Sequence, residues 1–196
     1  MNFKVLSVAT LLISTACFSV GSVAEKMPES PKHKETRIEN DLNNLFKRGL
    51  DTAAVKLDRN EDIRPFAIIK KLDGKLGVFE LDDTPKNASL SVNQMALSVR
   101  RYLTELAIAS QIEASVLVMY AVIRPKGGKA RQGLTFEMEH IEGVSIIRFL
   151  PITDHRNDEN SETNKLVLHT EDLTDNLKPA SVFTEMVKAL QANMQK

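Results

Sequence analysis

The chain has 196 residues, with 26 Lys and Arg against 26 Asp and Glu, no Trp and one Cys. Such balance argues against a protein drawn by charge to nucleic acid or an anionic membrane, since either needs a one-sided excess or a basic patch. Few aromatics also weigh against a stacking platform for bases or sugars, and one domain is the natural expectation at this length.

Lys4, an apolar run Val5 to Ile13, and small residues leading to Ser22, Val23 and Ala24 precede the first acidic residue, Glu25. This is the three-part layout of a secretory signal peptide, and the run is shorter than the roughly 20 apolar residues a spanning helix needs. Residues 1–24 are expected to be removed and the protein exported, periplasmic or secreted. Cys17 follows Ala16, as in a lipoprotein signal. That pattern wants an apolar residue three places before the cysteine, where Ser14 stands, so lipidation of Cys17 is the alternative and the one route to a membrane. Cleavage after Ala24 leaves a domain without cysteine and with a net charge of −1, so stability must come from its core.

Residues 25–36 (EKMPESPKHKET) are charged and carry Pro28 and Pro31, which reads as a solvated leader to a single domain over 37–196. From Arg37 to Leu57 the residues Ile38, Leu42, Leu45, Phe46, Leu50 and Ala53 recur at three- and four-residue spacing, the stripe of an amphipathic helix. Phe66 to Leu72 and Leu76 to Leu81 flank Asp73-Gly74, the signal for a tight hairpin whose central positions take positive φ. Residues 82–90 read as loop. Ser89 or Ser91 can cap a helix whose stripe runs Val92, Met95, Val99, Leu103, Leu106.

Three strands are expected next: Ser115 to Arg124, Gln132 to His140 and Val144 to Ile152, joined by the loop Pro125 to Arg131 and a turn at Gly143. The first is apolar on both sides and belongs in the interior of the sheet. In the second, a period of two puts Leu134, Phe136, Met138 and His140 on the core side and Thr135, Glu137 and Glu139 on the polar side. Residues 153–165 contain no apolar side chain and read as a solvated loop. A short strand at 166–169 and a helix over 179–195 complete the chain.

Motifs for chemistry are sparse. Glu137 and Glu139, with Arg148 on the next strand, form a carboxylate pair of the kind that runs acid and base steps, though alternate charges on an open sheet face are the ordinary pattern. His140, on the apolar side at a strand end, suits a base, a metal ligand or a rim hydrogen bond. His33, His155 and His169 have no metal-ligand spacing, so no metal or cofactor is expected. Lys126, Lys129 and Arg131, with Gly127 and Gly128, make a basic flexible loop. It is not a phosphate-binding P-loop, because Ala130 stands where Ser or Thr is needed and a strand follows in place of a helix. No GxSxG or calcium-loop pattern occurs.

The expected fold is α+β: one antiparallel sheet of about five strands, a two-strand hairpin plus a three-strand meander, with helices packed on it. The element order resembles that of profilin-like and roadblock-like domains, a likeness of pattern that transfers no site residue. The function expected is that of an exported, non-enzymatic module binding a protein partner or a second copy of itself. Lys126, Lys129, Arg131, Glu137, Glu139 and His140 are its candidate contacts. The alternatives are a small-molecule carrier with an apolar pocket between helix 92–112 and the sheet, and a hydrolase using Glu137, Glu139 or His140.

Overall fold

The computed structural model describes residues 30–59, 61–124, 128–154, 166–168, 174–177, 182–184 and 188. The expected signal segment, Lys126, the stretch 155–165 and most of the expected last helix lie outside the described residues.

Helix α1 spans Pro31–Asp58. It starts six residues before the expected Arg37, because Ser30 accepts the His33 N–H on its side chain and Pro31 takes the first helical position, where a missing N–H costs nothing. Residues 31–36, assigned by composition to a leader, are thus its first turns. Ile38, Leu42, Leu45, Ala53 and Leu57 bury the expected stripe. Gly49 interrupts it for a packing reason: a Cβ there would come within 3.1 Å of Val118 Cγ2, so glycine lets the helix lie close on the sheet.

Strands β1 (Phe66–Lys71) and β2 (Leu76–Glu80) form the expected hairpin. Its turn differs from the two-residue type. Lys71 N–H donates to Lys75 O, Gly74 N–H donates to Lys71 O, and Gly74 alone takes positive φ, at 81°. This is a three-residue loop, a type I turn closed by a left-handed glycine.

A single helical turn, α2 (Pro85–Ala88), interrupts the expected loop. Helix α3 (Val92–Ile108) follows, opened by a capping box in which Ser91 and Gln94 satisfy each other's backbone N–H groups. It ends in a Schellman arrangement: Gln111 N–H donates to Leu106 O, Ser110 N–H donates to Ala107 O, and Ser110 sits at φ 53°. A β-carbon in the left-handed region is strained, so Ser110→Gly is expected to raise stability by about 1 kcal/mol, read as a higher urea midpoint at unchanged slope.

Strands β3 (Ile112–Ile123), β4 (Arg131–His140) and β5 (Ser145–Asp154) form the antiparallel meander. Gly143 takes φ 86° in the β4–β5 turn. Two short strands, β6 (Leu166–Leu168) and β7 (Thr174–Leu177), pair along the outer side of β5; the second was not expected. The order is β2-β1-β3-β4-β5-β6, with β7 also on β5, and β3 lies in the interior as its composition required.

The sheet is covered on both faces. On one, α1 packs over Phe66, Ile68, Val116, Val118, Leu134, Phe136, Met138 and Leu150. On the other, α3 joins Ala67, Ile69, Ile112 and Leu117, and buried Val182 and Phe183 extend this second core. The side of β4 carrying Glu137 and Glu139, expected to face solvent, is therefore an interior side.

Candidate functional site

The densest group of ionisable side chains is at one end of the α1-covered face. Period two brings Lys70 to that face behind Phe66 and Ile68, and His140 behind Leu134, Phe136 and Met138. Asp41 enters from α1, inside the apolar stripe between Ile38 and Leu42. Glu113 arrives by a different device. Lys70 pairs with Ala114 and Lys71 with Ile112, so Glu113 has no partner across the ladder and is a β-bulge. The extra residue shifts the alternation, and Ile112 joins the α3-side core while Glu113 meets Lys70 and His140 on the α1 side.

The groups neutralise one another. Lys70 Nζ lies 2.6 Å from Asp41 Oδ2 and 3.2 Å from Glu113 Oε2. Arg37 lies 2.5 Å from Glu113 Oε1 and 3.4 Å from Glu142 Oε1, and Lys34 is 2.6 Å from Glu142 Oε2. His140 is fully buried: its Nε2 is 3.4 Å from Asp41 Oδ2, and its Nδ1 accepts the Glu142 backbone N–H at 3.1 Å. A backbone N–H can only donate, so Nδ1 carries no proton in the neutral ring and Nε2–H points to Asp41.

Burial alone would lower the Lys70 pKa, but hydrogen bonds to Asp41 and Glu113 outweigh it and the ammonium is held above its usual 10.5. The stability it brings is complete below that value and is lost as pH rises through the higher folded value. His140 behaves oppositely. Burial pushes its pKa below the usual 6.5, overcoming the Asp41 hydrogen bond and the charges of Glu113 and Asp41, while Arg37 acts in the same direction as burial.

As pH falls below 6.5, the unfolded chain therefore takes up this proton before the folded one, and stability drops. The expected result in urea titrations from neutral pH down to about 5 is a steeper loss for the wild type than for His140→Asn, whose amide oxygen can still accept the Glu142 N–H. Equal slopes would rule the histidine out as the cause.

Asp41, Glu113 and His140 offer ligand atoms within 4.8 Å of one another, close enough to hold a metal ion. Their partners speak against it. The Lys70 ammonium already bridges the two carboxylates, and binding at Nε2 would require Nδ1 to carry the proton that the Glu142 N–H excludes. The chemistry fits a charge-neutral clamp joining α1 to β1, β3, β4 and the β4–β5 turn.

The residues selected from sequence are dispersed. Glu137 accepts two hydrogen bonds from Arg100 of α3, at 3.0 and 2.7 Å. Glu139, 3% exposed, accepts the Val182 N–H at 2.8 Å and the Phe183 N–H at 3.4 Å. It thereby caps the helical turn at 182–184, which lies on the same face of the sheet. Arg148 lies on the opposite face from this pair, its guanidinium 4.4 Å from the centre of the Phe46 ring. Lys129 and Arg131 are exposed at the start of β4. Glu139 and His140 thus serve the interior, and Lys129 and Arg131 are the surface members of the set.

Among the described residues, the middle of the α3–sheet layer is closed, with Val99, Leu103 and Ala107 packed on Ala67, Ile69 and Leu117. A cavity of about 550 Å³ opens at the start of α3, bordered by Leu57, Ile63, Val92, Met95 and Tyr120. An open depression of about 530 Å³ lies at the rim of the layer, bordered by Ile69, Phe79, Tyr102 and Leu106.

Another surface feature was not singled out from sequence. Among the described residues, β2 is an edge strand with no neighbour beyond it. Leu76 and Val78 are 46% and 51% exposed there, and Leu72 in the adjoining loop is 59% exposed. The Lys71–Lys75 closing bond sets the alternation of the ladder, so the N–H and C=O of Leu76, Val78 and Glu80 point away from β1.

Fold and surface together define an α+β domain: one antiparallel sheet with a helix on each face, an internal charge clamp and an open apolar edge. No family model matches the chain, and no curated protein or solved structure matches it significantly.

Proposed function

We propose that the protein is an exported, non-enzymatic binding module that takes a strand of a protein partner onto the edge of β2. One observation carries this reading: β2 presents outward peptide groups and exposed Leu76 and Val78 without the usual protection. Edge strands are ordinarily blunted by proline, bulges, inward charges or a covering element. Among the described residues, the segment LGVFE has none of these before Glu80. Strand addition at such an edge draws affinity from main-chain hydrogen bonds and selectivity from alternate side chains. The engagement of Glu137 by Arg100 and of Glu139 by the 182–184 turn supports a non-enzymatic role. The signal-like layout of residues 1–24 supports export, and protein recovered from cells should begin at Glu25.

The test is Val78→Pro. Because the Val78 N–H points away from β1, proline there removes no ladder bond within the fold, but it blocks a strand from outside. Immobilised wild type is expected to retain a protein, either itself or another, that the V78P variant loses while keeping the wild-type far-UV circular dichroism. Identical retention by both would refute the reading.

A further inference from the structure

We infer that the strand added to β2 belongs to a second copy of this chain, making a two-fold dimer centred on Val78. This rests on the reading of β2 as a pairing edge and adds the identity of the partner. The outward-facing residues are Leu76, Val78 and Glu80, spaced evenly about Val78. An antiparallel copy can therefore set Leu76 against Glu80, Val78 against Val78 and Glu80 against Leu76, meeting every outward N–H and C=O of the strand. Any other antiparallel register leaves some of them unmet.

Charge favours the same arrangement. The end of the hairpin before β2 carries Lys71 and Lys75 with one acid, Asp73, which pairs with Lys75. The residues closing and following β2 include Glu80, Asp82 and Asp83, of which Glu80 and Asp83 pair with Lys56 and Arg64 in the same chain and Asp82 adds further negative charge. Antiparallel pairing sets the basic end of each copy against the acidic end of the other, twice, while parallel pairing would set acid on acid. Leu76, Val78 and Glu80 share one side of the strand, so the two Val78 side chains meet at the axis with the Leu76 side chains diagonal to them. This shields side chains that are about half exposed in the single chain. A self-complementary patch of this kind closes as a pair and does not propagate into a filament.

The experiment uses the full chain carrying Cys17→Ser, with Val78→Cys or Leu76→Cys added. In the dimer the two Val78 Cα atoms are about 5.5 Å apart, within disulfide range, whereas the two Leu76 Cα atoms are about 14 Å apart. The expected result is a dimer mass by light scattering and a disulfide-linked dimer from V78C but not from L76C under mild oxidation. Val78→Pro, and Val78→Lys as a second variant, should give monomers whose melting temperature does not depend on concentration. A monomeric wild type at every concentration, a dimer that V78P leaves intact, or cross-linking through L76C in place of V78C overturns the inference. If the wild type is monomeric yet V78P loses a different partner, only the identity of the partner fails. If V78P changes neither mass nor retention, the reading of β2 fails as well.

Discussion

Replacing Lys70 by Met is expected to cost about 3 kcal/mol of folding stability, read as a lower urea midpoint at unchanged slope. Methionine fills the same stem but leaves Asp41 and Glu113 without the ammonium that lies between them at 2.6 and 3.2 Å. Removing one partner of a buried pair ordinarily costs about 3–5 kcal/mol, because the other charge is left desolvated. The low end applies here: the side chains of Lys70, Asp41 and Glu113 retain 11–17% of their exposure, and Arg37 still holds Glu113.

The deficit should also shrink on acidification. Without the cation, the surplus negative charge is relieved when His140 takes up a proton, so the K70M and wild-type stabilities should converge as pH falls. A constant deficit would mean that lost packing, not charge, is responsible. Asp41→Asn combined with Lys70→Met should recover part of the loss, with a coupling of about 1–2 kcal/mol between the two sites.

Gly133→Ala is expected to cost a similar amount, about 3 kcal/mol, for a steric reason. A Cβ at Gly133 would collide with the Leu150 backbone carbonyl oxygen and lie 2.5 and 2.7 Å from two ring carbons of Phe149. The ring could move, but the carbonyl belongs to β5, paired with β4 from Ser145 to Pro151. Relief therefore requires the two strands to separate or shift. Phe149→Leu in the G133A background should recover the ring contribution and leave the carbonyl contribution. If G133A alone unfolds within about 0.5 kcal/mol of the wild type, the strands at this point are more compliant than their pairing implies.

Much of the fold was legible because it rests on local period. The spacing of Ile38, Leu42 and Leu45, and of Met95, Val99 and Leu103, specifies helices wherever those residues end up. The alternation from Leu134 to His140 assigns faces without reference to any partner. The two-sided apolar character of Val116 to Val118 placed β3 inside the sheet. The hairpin was legible as a hairpin but not in its turn type. One left-handed glycine suffices for a three-residue loop, and an Asp-Gly pair is compatible with both solutions.

The charge clamp was partly legible. His140 drew attention by parity, and Asp41 and Lys70 carried the same signal, a polar residue in an apolar stripe or on the apolar side of a strand, read at one end of each element. Glu113 could not be placed this way, because its direction depends on a bulge that exists only in the pairing of β1 with β3.

By itself the sequence determined the two long helices and strands β1 to β5, and which side of each is apolar, since these follow from side chains repeating along one element, whereas α2, β7 and the first turns of α1 carry no such repeat. Only the tertiary structure decided that Glu137 and Glu139 face inward, because α3 and residues 182–183, remote in sequence, cover that side and supply Arg100 and two backbone N–H groups. It alone decided that Asp41, Lys70, Glu113 and His140 converge, since they come from four elements. It also left β2 at the open edge, because strand order is set by which long-range pairings form, and no periodicity within a strand records its neighbours.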